Sequence, residues 1–119
     1  MKVRFEGTSS QDARVSQGAE SLRVGNEYLV LEIYSQTDRG NYFRIESMPG
    51  ELPGLFDSRL FSVTARNLPS TWRAFTSASG SLSLCPEPWG DPGFWESLMD
   101  GELWAIECYR TEKSMIESL

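Results

Sequence analysis

The sequence contains no histidine, and its 119 residues include only two cysteines. The absence of histidine excludes Ser-His-Asp and Cys-His catalytic sites, histidine-ligated metals and imidazole pH switches. Cys85 and Cys108 are too few for a disulfide scaffold, and their spacing is not that of metal ligands. Because both lie among apolar residues, we expect two buried free thiols, which suit a reducing compartment.

Several sequence motifs are also missing. No apolar segment follows the charged start of the chain, and no run approaches the ~18 apolar residues of a membrane span. No glycine-rich phosphate-binding loop and no serine nucleophile elbow occur. We therefore expect a cytoplasmic protein that has no cofactor, no bound metal and no catalytic activity.

Basic residues are few, and the charge is distributed unevenly. Residues 86–119 contain eight acidic and two basic residues, whereas residues 1–85 contain nine of each. The formal net charge of −6 therefore belongs to the C-terminal segment. This balance argues against duplex nucleic acid and anionic membranes as partners, since both require a basic surface. It favours a local acidic surface for a basic partner, or alternatively a solvated helix that maintains solubility.

The composition is that of one globular domain. Hydrophobic residues make up 39% of the chain and aromatic residues 12%, so a chain of this length can bury a core without disulfides or metal. We predict a single domain over residues 1–119. Its three parts are an N-terminal strand and loop (1–20), a β-rich region (22–85) and a helical C-terminal region (92–118).

The β-rich region is predicted from its hydrophobic pattern. Residues 27–34 are apolar at most positions, which indicates one strand at the centre of a sheet. The other predicted strands are 2–6, 42–46, 60–64, 71–76 and 81–84. Two Pro-Gly pairs between residues 48 and 54 indicate a loop. The predicted class is α+β, mainly β, with a small SH3-like or similar antiparallel barrel or sheet followed by C-terminal helices.

The C-terminal region has helical spacing and carries the candidate binding residues. Asp100-Gly101 separates two predicted helices, and we expect Asp100 to cap the second. Leu98, Leu103 and Ile106 would form the apolar face, which leaves Trp104 among acids on the opposite face. Alternatively, Trp104 packs against the sheet from the side of the helix. The predicted partner-binding residues are Glu87, Asp91, Glu96, Asp100, Trp104 and Glu107.

Several short motifs carry a resemblance to a known class of proteins. Residues 24–33 read Val-Gly-x-x-Tyr-x-Val-x-x-Ile. They are followed by Phe43-Arg44-Ile45, Pro53-Gly54-Leu55-Phe56, Pro69-Ser70-Thr71-Trp72, Pro88-Trp89 and Gly93-Phe94-Trp95-Glu96. Over about residues 22–110 the chain resembles small bacterial immunity proteins of polymorphic toxin systems, including contact-dependent growth inhibition.

The resemblance implies that the protein binds a cognate toxin domain and blocks it. The acidic face would then occupy the basic active site of a toxin such as a nuclease, in the manner of a nucleic acid. Two other classes remain open. One is an SH3-like module that binds a peptide in a groove of Tyr28, Tyr42 and Trp72. The other is a small enzyme or ligand-binding barrel that uses carboxylates.

Overall fold

Eight strands and two α-helices make up the fold of residues 1–119, which is described here from a computed structural model. The strands are β1 (Lys2–Phe5), β2 (Glu27–Leu29), β3 (Glu32–Gln36), β4 (Gly40–Ile45), β5 (Gly54–Asp57), β6 (Phe61–Ala65), β7 (Trp72–Thr76) and β8 (Leu82–Pro86). The helices are α1 (Phe94–Met99) and α2 (Leu103–Glu117), and 3-10 turns occupy Ala19–Ser21, Ser58–Leu60 and Glu87–Gly90.

The strands form two antiparallel sheets. One has the order β2-β1-β6, and the other has the order β5-β4-β3-β8-β7. Each sheet keeps two edge strands, so neither closes into a barrel. The predicted α+β, mainly β class with C-terminal helices is confirmed, and the open sheets take the place of the SH3-like barrel.

The strand predicted over residues 27–34 is divided between the two sheets. β2 pairs with β1, and β3 pairs with β4 and β8. The backbone N–H of Val30 donates to Met1, and that of Leu31 donates to Arg44, so the pairing partner changes between these two residues. Both side chains are buried. Residues 27–34 are therefore apolar at most positions because the chain crosses the core here, from one sheet to the other.

The two predicted hairpins are present as β3-β4 and β7-β8. The predicted loop between residues 48 and 54 is present too, but β5 begins at its last residue, Gly54, and was not predicted. This strand has only four residues, and it forms the edge of the five-stranded sheet. Phe56 in β5 is buried and pairs with Phe43 in β4, so tertiary packing overrides the turn signals of the Pro-Gly pairs.

The core lies between the sheets, the N-terminal loop and the helices. Its largest fully buried side chain is Trp89, in the 3-10 turn before α1. The Trp89 ring lies 5.3 Å from that of Tyr109 and 5.4 Å from that of Trp95, measured between centroids. These aromatic contacts join the helical region to the rest of the domain.

The two helices are separated by a glycine, as predicted. Gly101 has a φ of 76°, a left-handed conformation that favours glycine and ends a helix. The prediction that Asp100 caps the second helix is wrong. Asp100 is the C-terminal cap residue of α1. Glu102, which has an extended backbone, is the N-terminal cap residue of α2. Neither helix combines the length and the apolar character required to cross a lipid bilayer.

The cysteines are both free, as expected, but they differ in burial. Cys85 is buried and Cys108 is only half-buried, because the side of α2 that carries Cys108 is not fully covered. Burial and the charge of Glu32 raise the pKa of Cys85 to about 12, and burial raises the pKa of Cys108 as well.

Thiol labelling of the native protein should therefore modify Cys108 first. Because the thiolate is the reactive species, Cys85 should react only after unfolding. We expect one equivalent of a disulfide reagent to react at pH 8 in buffer and two in denaturant. In a Cys108→Ser variant the native protein should show no fast phase. Equal rates for both thiols in the native state would contradict this burial.

Candidate functional site

All six predicted partner-binding side chains are exposed to solvent. They are Glu87, Asp91, Glu96, Asp100, Trp104 and Glu107. They come from three consecutive elements, namely the 3-10 turn Glu87–Gly90 with the residue after it, α1 with its C-terminal cap, and the first half of α2. We call this set the acidic surface.

Trp104 is the large aromatic side chain of the acidic surface. It keeps 51% of its surface exposed, and the centroid of its ring lies 6.0 Å from that of Phe94 in an edge-on contact. One part of the side chain therefore packs on α1, while the other half meets solvent. Exposed tryptophans of this kind are frequent energetic centres of protein interfaces.

The rotation of α2 about its axis decides which residues accompany Trp104. Ala105, Tyr109 and Ile116 are buried and define the inner stripe. The Tyr109 hydroxyl donates a hydrogen bond to the carboxylate of Glu46, and the Lys113 ammonium lies 2.8 Å from the same carboxylate. These contacts fix the helix against the loop that follows β4.

The buried stripe also determines which residues of α2 face the solvent. Because Trp104 and Glu107 are three residues apart, they are neighbours on one side of the helix. Both are exposed. The prediction that they share a polar face therefore agrees with the position of the buried stripe.

Leu103 does not lie where the sequence analysis expected it. It was predicted on the apolar face, but it is 71% exposed, because the buried stripe begins at Ala105 instead. Met99, at the end of α1, is also exposed. Met99, Leu103 and Trp104 are therefore a group of exposed apolar residues that flank the connection between the two helices in the chain. The sequence signal for this group was the Asp100-Gly101 break, which resets the helical phase.

The carboxylates of the acidic surface have no partners within the protein. All ion pairs of the structure lie elsewhere, and no side-chain hydrogen bond involves Glu87, Asp91, Glu96, Asp100 or Glu107. Lys113, one of the two bases of the C-terminal segment, is already paired with Glu46. The negative charge of this segment is therefore available to an external partner.

The structure brings some members of the acidic surface together. Asp91 lies close enough to Cys108 for its charge to raise the pKa of that thiol. Cys108 is one helical turn after Trp104, so this charge acts on the same part of α2. Glu96 and Asp100 share α1, where the Asp100 backbone N–H donates to the Glu96 carbonyl at 2.9 Å. Glu87 has no contact of this kind with the others.

The aromatic residues that the peptide-binding alternative requires do not come together. Tyr28 lines two neighbouring hollows, but Tyr42 and Trp72 line neither of them, and Trp72 is buried. The predicted aromatic peptide groove is therefore not formed by these three side chains. No three Asp, Glu or Cys side chains form a group that could hold a metal ion.

Comparison with protein-family models, with curated proteins and with solved structures finds no match to this chain. The resemblance to immunity proteins therefore stays a prediction that depends on the motifs of the sequence. The geometry described above provides an independent basis for a functional hypothesis.

Proposed function

We propose that this protein is an immunity protein, which binds a cognate bacterial toxin domain through the acidic surface and neutralises it. The protein acts by binding and catalyses no reaction. It forms the complex in the cytoplasm, where the toxin would otherwise act.

The observation that carries the proposal is the exposure of Trp104 together with the character of the residues near it in the chain. This half-exposed ring, Leu103 and Met99 are exposed apolar side chains on either side of the connection between α1 and α2, and residues with unpaired carboxylates precede and follow them in the chain. Protein interfaces commonly have an apolar or aromatic centre and a polar rim. A solubility device needs the carboxylates but gains nothing from three exposed apolar side chains, which favours the binding hypothesis.

A toxin with a basic active site, such as a nuclease, fits this surface best. Nucleases hold phosphates with lysine and arginine, and carboxylates on a second protein can occupy the same positions. Opposite charge also accelerates association, which is an advantage for an inhibitor that has to capture a toxin quickly.

Removal of two charges from the acidic surface should slow capture of the toxin. We expect Asp100→Asn combined with Glu107→Gln to lower the association rate constant roughly tenfold at low salt. The difference from wild type should shrink as salt screens the charges. Stopped-flow mixing with the toxin domain encoded immediately upstream would measure both effects.

A matched variant controls for net charge. Glu20→Gln combined with Glu51→Gln removes two exposed charges outside the acidic surface, so its association rate should stay close to that of wild type. If both double variants slow association equally, overall charge and not this surface steers the encounter. If neither variant changes the rate, the acidic surface is not the contact region.

A further inference from the structure

A second charged region lies at one end of the five-stranded sheet, in a hollow of about 450 Å³. No apolar side chain lines it. Its lining comprises Arg14, Asp38, Arg39, Gly40, Asn41, Asp57, Ser58 and Arg59. We call it the arginine hollow. It contains three of the chain's nine arginines, in a protein whose net charge is −6.

Three separate segments bring the arginines together. Arg39 belongs to the turn between β3 and β4, and Arg59 follows β5. Since Asp57 pairs with Tyr42, the end of β5 lies beside the start of β4. Arg14 comes from the N-terminal loop, which the buried side chain of its neighbour Val15 fixes in the core. The loop thereby acquires a role that its sequence did not suggest.

One of the carboxylates of the hollow is already engaged. Asp57 accepts from Arg59 Nε at 3.0 Å, from Arg59 Nη2 at 2.8 Å and from the Arg59 backbone N–H at 2.9 Å. These contacts, together with the charge of Arg14, keep the pKa of Asp57 below its ordinary value, so that the carboxylate stays ionised and holds Arg59 in place.

The other guanidinium groups remain free to bind an external anion. Arg14 and Arg39 form no ion pair, and their side chains donate no hydrogen bond within the protein. Arg59 uses Nε and Nη2 on Asp57, and its Nη1 has no acceptor. Two unpaired guanidinium groups, those of Arg14 and Arg39, and the free Nη1 of Arg59 therefore line one open hollow.

We propose that the arginine hollow binds the phosphate group of a small phosphorylated molecule. Guanidinium groups donate several hydrogen bonds in a planar fork, and they are the side chains best suited to a phosphate with its multiple acceptor oxygens. The Ser58 hydroxyl and the Asn41 amide add further donors at the wall. The carboxylate of Asp38 opposes the anion and limits its affinity. This site does not depend on the toxin-binding function of the acidic surface.

Titration of the full chain with inorganic phosphate tests the site, with pyrophosphate and a phosphate monoester in separate titrations. Nitrogen-15 NMR spectra would follow the Nε–H signals of the arginines, with chloride at matched ionic strength as the reference. We expect saturable shifts for Arg14, Arg39 and Arg59. Tighter binding of pyrophosphate or of the monoester than of inorganic phosphate would identify which form of phosphate the hollow accepts.

Three variants make the test specific. Arg39→Gln, and likewise Arg14→Gln, should weaken binding roughly tenfold, since a charge-assisted hydrogen bond is lost. Asp38→Asn should tighten it, because asparagine tolerates the left-handed backbone of this position (φ 70°) and removes the opposing charge. Arg66→Gln, an exposed arginine outside the hollow, should have no effect. Shifts that do not saturate, or that are the same in Arg39→Gln, would overturn the proposal.

Discussion

Replacement of Arg44 by methionine is expected to lower the free energy of unfolding by about 3–5 kcal/mol. Arg44 Nε lies 2.7 Å from Glu32 Oε1, and the Glu32 side chain is only 3% exposed. The variant would leave this carboxylate buried without its counter-charge. The guanidinium carbon also lies 3.8 Å from the centroid of the Trp95 ring, so a cation–π contact is lost. Urea unfolding followed by tryptophan fluorescence would measure the change.

The control for this prediction removes both members of the pair. Glu32→Leu combined with Arg44→Met leaves no unpaired charge, and we expect it to recover most of the stability lost in Arg44→Met alone. The Glu32–Arg44 pair joins β3 to β4 and lies between the sheet and α1. If Arg44→Met alone hardly changes the free energy of unfolding, water must reach Glu32. That result would contradict the packing of Trp95 over this part of the sheet.

Truncation of Trp104 to alanine is expected to weaken binding of the toxin domain by about 2–4 kcal/mol, which corresponds to a roughly 30- to 1000-fold higher dissociation constant. The half-exposed ring is the largest apolar side chain of the acidic surface, and a bound partner would cover it. Isothermal titration calorimetry would measure the change. The structural cost should be small, since half of the side chain is exposed and its ring contact with Phe94 is edge-on.

Met115→Ala provides the matched control for Trp104→Ala. Met115 is also 51% exposed and lies on the same helix, about three turns further along. Its truncation should leave the affinity unchanged within experimental error. An unchanged affinity of Trp104→Ala would remove Trp104 from the interface, and equal losses in the two variants would indicate a general effect on α2.

Local patterns were sufficient to predict many of the elements. The apolar alternation indicated both hairpins, and the Asp100-Gly101 break indicated the division between α1 and α2, since these signals act over a few residues. The division of residues 27–34 between two sheets depends on pairing with Met1 and Arg44, which no local pattern encodes. The absence of a closed barrel has the same cause, because long-range pairing decides which edges meet.

The candidate site was also predicted only in part. The exposure of the acids follows from the polar side of the helices, and composition alone located the net charge. The exposure of Leu103 was not predicted, because the Asp100-Gly101 break resets the helical phase and the contacts of Tyr109 and Lys113 with Glu46 then fix the rotation of α2. The arginine hollow was missed for a similar reason, since its arginines are far apart in sequence and no phosphate-binding motif contains them.

Co-expression with the protein encoded immediately upstream tests the central claim most directly. A tagged form of this chain would be used for pull-down, and growth would be followed when the upstream protein is produced with and without it. We predict that the two proteins co-purify and that growth is restored by the wild type but less well by Trp104→Ala. If the upstream protein is toxic and this chain neither binds it nor restores growth, the immunity function is contradicted.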